Sequence, residues 1–172
     1  MRQSVSLLVG TILVAACGDA SGGQDRENYF APMVRVSDFA VLTGDDWQGE
    51  LTYLNHEEPP EDVTLAADLA VAQNANTFEL YITYPDAPRA DGRAELTVSE
   101  DGRLINDEKV VERSKEDGKL VLESRQDCQD AGRPALCEYT YRIAPEAFSI
   151  RKMVTPEGEG EAFQRNFYEF AR

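Results

Sequence analysis

Histidine is scarce in this chain, and positive charge is short relative to negative. One histidine, His56, stands among 172 residues, and 17 basic residues face 32 acidic ones for a formal net charge of −15. Nucleic acid is bound through Lys and Arg on its phosphates, so a chain this acidic is repelled by it. Anionic lipid surfaces repel it for the same reason. A single histidine cannot build a His-rich metal site, and no motif for a divalent cation is present. His56 lies in the polar stretch Asn55-His56-Glu57-Glu58, which reads as an exposed loop; a general base or haem ligand there has no partner in the sequence. The dinucleotide and Walker phosphate loops are missing, and so is a Gly-x-Ser-x-Gly elbow, so no cofactor is expected. Carboxylates are too abundant for any pair to stand out as an acid–base couple. No apolar run reaches the roughly 20 residues of a membrane-spanning helix. What remains is a single domain with an accessory segment at one end, its acidity read as a solvated surface.

The longest apolar run is residues 5–16, after the basic start at Arg2 and broken only by Ser6, Gly10 and Thr11. Its length suits the core of a secretory signal, with small residues at the exit. That exit, Leu13-Val14-Ala15-Ala16-Cys17, resembles the lipobox of bacterial lipoproteins. The resemblance implies cleavage before Cys17, acylation of its thiol and of the new amino terminus, and a membrane anchor. Residues 1–16 are then the signal peptide and residues 17–28 the lipidated Cys17 with a flexible tether of Gly, Ser, Asp, Glu and Gln. By resemblance to enterobacterial sorting, Gly18 after the cysteine favours the outer membrane, with the domain facing the periplasm.

Setting Cys17 aside leaves Cys128 and Cys137, which bracket the turn-forming stretch Gln129-Asp130-Ala131-Gly132-Arg133-Pro134. Exported proteins keep disulfides, so a Cys128–Cys137 bridge across a hairpin is expected. A metal site is the rival reading, but it has no further Cys, and the only His lies far off in sequence.

From Ser37 on, apolar residues recur at every second position. Val63, Leu65, Ala67, Leu69 and Val71 form one such series; Phe78, Leu80, Ile82 and Tyr84, then Ala94, Leu96 and Val98, then Cys137, Tyr139, Tyr141 and Ile143 form others. This is the period of strands with one wet and one buried face. Short turn-forming connections make sequence neighbours spatial neighbours, and about nine strands in a meander invite closure, which removes exposed edges. One short helix is expected first, with Ser37 capping Asp38 to Leu42. The expected fold is all-β, an antiparallel up-and-down barrel over residues 29–172, with an open β-sandwich as the alternative. Gly44-Asp45-Asp46-Trp47 after the short helix resembles the opening motif of lipocalins, where the Trp plugs one barrel end and an Arg from the chain's end packs on it. Trp47 is the corresponding structural plug, and Arg165 or Arg172 its partner. The usual lipocalin spacing is Gly-x-Trp, and this chain has one residue more. Trp47-x-Gly49 early and Arg165-Asn166-x-Tyr168 late are also similar to secreted bacterial lipocalin-like domains.

Two functional classes stay open: a binding module holding a small lipophilic or anionic amphipathic ligand in its interior, and a non-catalytic structural or interaction protein of the cell envelope. An enzyme on the same barrel is the third. Fold alone does not choose among them. Strict alternation in the last strand puts Phe163, Arg165, Phe167 and Glu169 on one face. Pairing with Phe148, Ile150, Lys152 and Val154 then brings Arg165 beside Lys152, with Tyr139 and Tyr141 lining the same space. Glu169, Trp47 or a ligand carboxylate would each neutralise Arg165.

Overall fold

In a computed structural model of the chain, which describes residues 31–172 apart from 58 and 159, the alternating stretches are strands of one antiparallel sheet. Ten strands follow a short helix: α1 (Val36–Ala40), β1 (Gly44–Asn55), β2 (Glu61–Asn74), β3 (Thr77–Thr83), β4 (Gly92–Thr97), β5 (Leu104–Ile105), β6 (Glu108–Glu116), β7 (Lys119–Asp130), β8 (Arg133–Ala144), β9 (Ala147–Pro156) and β10 (Phe163–Ala171). Their order across the sheet, β4-β3-β2-β1-β10-β9-β8-β7-β6-β5, is that of an up-and-down meander whose ends meet. The proposed signal segment, the tether and Cys17 lie outside the described residues. Among the described residues no helix is long and apolar enough to cross a membrane.

The hairpins follow from turn chemistry. Asp117-Gly118 joins β6 to β7 and Ala131-Gly132 joins β7 to β8, and all four residues have φ between 49° and 80°. Two-residue loops with both central φ positive match the right-handed twist of the flanking strands.

β4 and β5 close the sheet into a barrel, but over a short length. Val98 bridges Ile105, Ser99 exchanges hydrogen bonds with Leu104, and Asn106 completes the clasp. Its N–H donates to Thr97 O at 2.7 Å, its Oδ1 accepts from Thr97 N–H at 2.9 Å and its Nδ2 donates to Glu95 O at 3.0 Å. Asn106 has φ 54°, a left-handed conformation that Asn tolerates better than most residues. Beyond this clasp the edges part. β6 begins only at Glu108, so β7 past Arg125 pairs with β8 alone. The architecture is therefore a nearly closed barrel and not the open sandwich.

One end is sealed by α1. Arg35 donates its backbone N–H to Asp38 Oδ2 at 2.8 Å, so the start of the helix is held by Asp38 rather than by Ser37. The same carboxylate takes the Arg113 guanidinium of β6 on both oxygens, at 2.8 and 3.3 Å. Phe39, Leu42 and Trp47 are fully buried. Phe39 stands edge-on to Tyr141 at 5.9 Å and packs on Phe78 at 5.7 Å. Trp47 donates its ring N–H to Leu42 O at 2.8 Å. Of the two candidate arginines, Arg172 lies over the indole, its guanidinium 4.3 Å from the ring centroid. The extra residue in Gly44-Asp45-Asp46-Trp47 has a physical place: Gly44 to Trp47 on β1 spans only Val71 to Leu69 on β2, so a β-bulge absorbs it.

Candidate binding site inside the barrel

A cavity of about 260 Å³ lies between β3–β4 and the β5–β6 turn on one side and β8, β9 and β10 on the other. Its apolar wall includes Leu80, Ile82, Leu96, Ile150 and Phe170, the inward positions of the period-two pattern. Ala94 and Glu95 line it and are themselves exposed, so it reaches solvent beside β4, where the sheet edges part. The volume is just under the roughly 300–1,000 Å³ of sites for drug-sized ligands, which limits an occupant to a small molecule.

Two charged side chains converge on this apolar space. Lys152 follows Ile150 on the inward face of β9 and is half-buried. Its Nζ sits 5.6 Å from the Tyr139 ring centroid, and no carboxylate among the described residues forms an ion pair with it. Opposite stands Glu108, the first residue of β6, only 4% exposed. Ser124 Oγ donates to Glu108 Oε2 at 2.5 Å and Tyr141 OH donates to the same oxygen at 2.7 Å. No donor among the described residues reaches Oε1. Burial is the main cause that pushes the Glu108 carboxyl above the usual carboxylate range; the two hydroxyls and the Lys152 charge pull it back only in part. Burial beside Glu108 also raises the Tyr141 phenol well above its ordinary value. Deeper along β10, Tyr168 OH and Tyr84 OH are 3.1 Å apart, and burial raises Tyr84 as well.

Of the residues singled out from sequence, Lys152, Tyr139 and Tyr141 line this cavity. Arg165 does not. The register runs from Gln164 opposite Met153 directly to Asn166 opposite Lys152, so Arg165 is the extra residue of a β-bulge. The bulge inverts the alternation: Asn166, Tyr168 and Phe170 take the inward face that Lys152 shares, and Phe167 passes outside, where the Arg151 guanidinium lies 4.9 Å from its ring centroid. The expected face of Phe163, Arg165, Phe167 and Glu169 is thus broken. Arg165 pairs neither with Glu169 nor with Trp47; it donates to Asp130 Oδ1 at 3.0 Å and to Leu54 O at 2.9 Å. His56 Nε2 lies 3.9 Å from the other Asp130 oxygen, in a second hollow of about 410 Å³ formed by the loops at the end opposite α1. Cys128 and Cys137 are disulfide-bonded, with Cα atoms 5.8 Å apart. They pin the part of β7 that β6 does not cover.

Glu108 is the functional candidate that sequence reading missed. The stretch Asn106-Asp107-Glu108-Lys109 looks like a polar turn, and the partners that make Glu108 unusual, Ser124 and Tyr141, come from two other strands. The one available signal was Glu108 in step with Val110, ahead of a strand.

Among the described residues no group of three or more His, Cys, Asp or Glu converges to hold a metal ion. No family model matches the chain and no curated protein matches it. Among solved structures the chain is similar to a crystal structure of a mutant of the fluorescent protein UnaG, with 13% identity and a TM-score of 0.37, over 80% of this chain and 98% of that one.

Proposed function

We propose that the barrel is a binding module for a small amphipathic anion, held in the interior cavity with its apolar part against Leu80, Ile82, Leu96, Ile150 and Phe170 and its charge on Lys152. The observation that carries this reading is the Lys152 ammonium, which lines the cavity and forms no ion pair with a carboxylate among the described residues. A half-buried cation beside apolar side chains gains from a counter-charge, and a ligand anion supplies one. The test is titration with a fluorescent anionic amphiphile. The parent binds it saturably at one site, and a Lys152→Met variant with an unchanged melting curve loses that binding. If the parent binds no anionic amphiphile, the reading fails and a non-catalytic envelope-interaction role takes its place.

The lipobox-like exit before Cys17 supports a second part of the proposal: the barrel is tethered to a bacterial membrane by lipid on Cys17, on the periplasmic side of the outer membrane. Replacing Cys17 by Ser moves the protein from the membrane fraction to the soluble one. An unchanged partition rules the anchor out.

A further inference from the structure

We infer that Glu108 is the second half of the head-group subsite: it and Lys152 together hold one carboxylate of the ligand, Lys152 as the cation and Glu108 as a neutral hydrogen-bond donor, so that binding takes up one proton. The inference rests on the anion reading of the cavity and gives that anion its chemical class.

The argument starts from charge. A cavity with Lys152 cationic and Glu108 ionised is neutral when empty. An anion brought into it leaves one uncompensated negative charge in a space with apolar walls, and like charges sharing a site force a proton onto one of them. Two carboxyl groups beside one ammonium are compensated when they share one proton. Geometry decides where that proton goes. Glu108 Oε2 already accepts from Ser124 Oγ and Tyr141 OH, which fills its acceptor capacity and blocks it as a donor. Oε1 has no partner among the described residues, and Glu108 lines the cavity. A proton on Oε1 therefore points at the ligand, and an O–H···O⁻ bond to a carboxylate is among the stronger hydrogen bonds.

The surroundings favour this protonation. Around Glu108 stand Ser124 from β7, Tyr139 and Tyr141 from β8, Lys152 from β9, Asn166 and Tyr168 from β10, Glu95 from β4, and Asn106 and Asp107 from the preceding turn. Lys152 is the one cation of this set. Asp107 acts against ionisation and Lys152 for it. A ligand carboxylate placed on Lys152 offsets the one positive charge that favours the ionised form of Glu108 and leaves only the two hydroxyls doing so, so binding and protonation reinforce each other.

The experiment is calorimetric titration of the protein with octanoate, in buffers of different ionisation enthalpy, between about pH 5 and about pH 8. Above the Glu108 titration the parent takes up one proton per octanoate and its affinity falls about tenfold per pH unit; below it both effects fade. In Glu108→Gln the carboxamide keeps a donor but cannot titrate: octanoate binding persists, the pH dependence disappears and no proton is taken up. The parent measurement stands even if the variant folds poorly. Octanoate binding by the parent with no proton uptake and no pH dependence anywhere up to about pH 8 overturns the inference and leaves the anion reading intact. Binding of octanol or octylamine in preference to octanoate overturns the anion reading itself, and the inference with it.

Discussion

Glu108 and Ser114 each hold a polar atom away from solvent, and they differ in whether the fold answers it. Glu108 is answered on one oxygen by two hydroxyls, yet burial still raises its proton affinity in the folded state. A carboxyl whose folded pKa lies above its unfolded value binds more protons when folded. Its contribution to stability is therefore fully present below the unfolded value, about 4.3 for Glu, and is lost as pH rises through the folded value. Denaturant melts of the parent and of Glu108→Gln from about pH 4 upward should then diverge, the parent losing stability with rising pH more steeply than the variant. Parallel curves would show that Glu108 titrates alike in both states. Ser114 Oγ is the opposite case, a buried hydroxyl with no hydrogen-bond partner among the described residues. Leaving a buried polar group unpaired costs about 1–3 kcal/mol, so Ser114→Ala should raise stability by about 1 kcal/mol, read as a higher melting temperature. A lower one would place a bound water on that oxygen.

Strands show what an alternating pattern records and what it omits. The series Val63-Leu65-Ala67-Leu69-Val71, Phe78-Leu80-Ile82-Tyr84, Ala94-Leu96-Val98 and Cys137-Tyr139-Tyr141-Ile143 were legible because one buried face imposes period two on the chain; the core holds them except at Val63 and the exposed Ala94, with Cys137 in a second, smaller cluster beside Ala135 and Val154. The cysteine bridge was legible because only two candidates remained. The bulges were not. Each adds one residue to one strand, and the phase beyond it inverts without any change in composition. At Gln164–Asn166 this moved Arg165 out of the proposed site and brought Asn166, Tyr168 and Phe170 into it. The clasp at Asn106 and the Glu108 cluster were hidden for a related reason, since their partners come from other elements and sequence spacing cannot express them. The pairing of β1 with β10 makes a sharper demand on one residue. Gly49 sits opposite Phe170, and a Cβ at Gly49 would fall 1.9 Å from Glu169 O and 2.8 Å from Phe170 Cα. Both are backbone atoms that cannot rotate away. Gly49→Ala must push β10 outward and should cost about 1–3 kcal/mol, the usual range for overpacking. Hydrogen exchange should speed up along β1 and β10 while staying unchanged along β6 and β7. Wild-type stability in this variant would mean that the two strands are not so closely apposed.

At the scale of the whole molecule, a binding site for an anion sits in a chain of net charge −15, and the two facts act over different distances. The excess acid is spread over the surface, as in the exposed Glu95, Glu100, Glu116 and Glu157, and its summed field repels an approaching anion. Lys152 acts at contact, half-buried among the side chains that line the cavity. Salt separates the two. The Debye length falls from about 30 Å at 0.01 M to about 8 Å at 0.15 M, which removes the long-range repulsion while leaving the buried contact almost untouched. The association rate of an anionic amphiphile should therefore rise several-fold across that range and its dissociation rate should stay nearly constant, so that affinity improves with salt. A neutral amphiphile of the same chain length should show no such trend, because the field has no charge to act on. Stopped-flow fluorescence at several ionic strengths reads both rates. An association rate that falls with added salt would show a locally positive approach to the cavity, overriding the acidic surface around it.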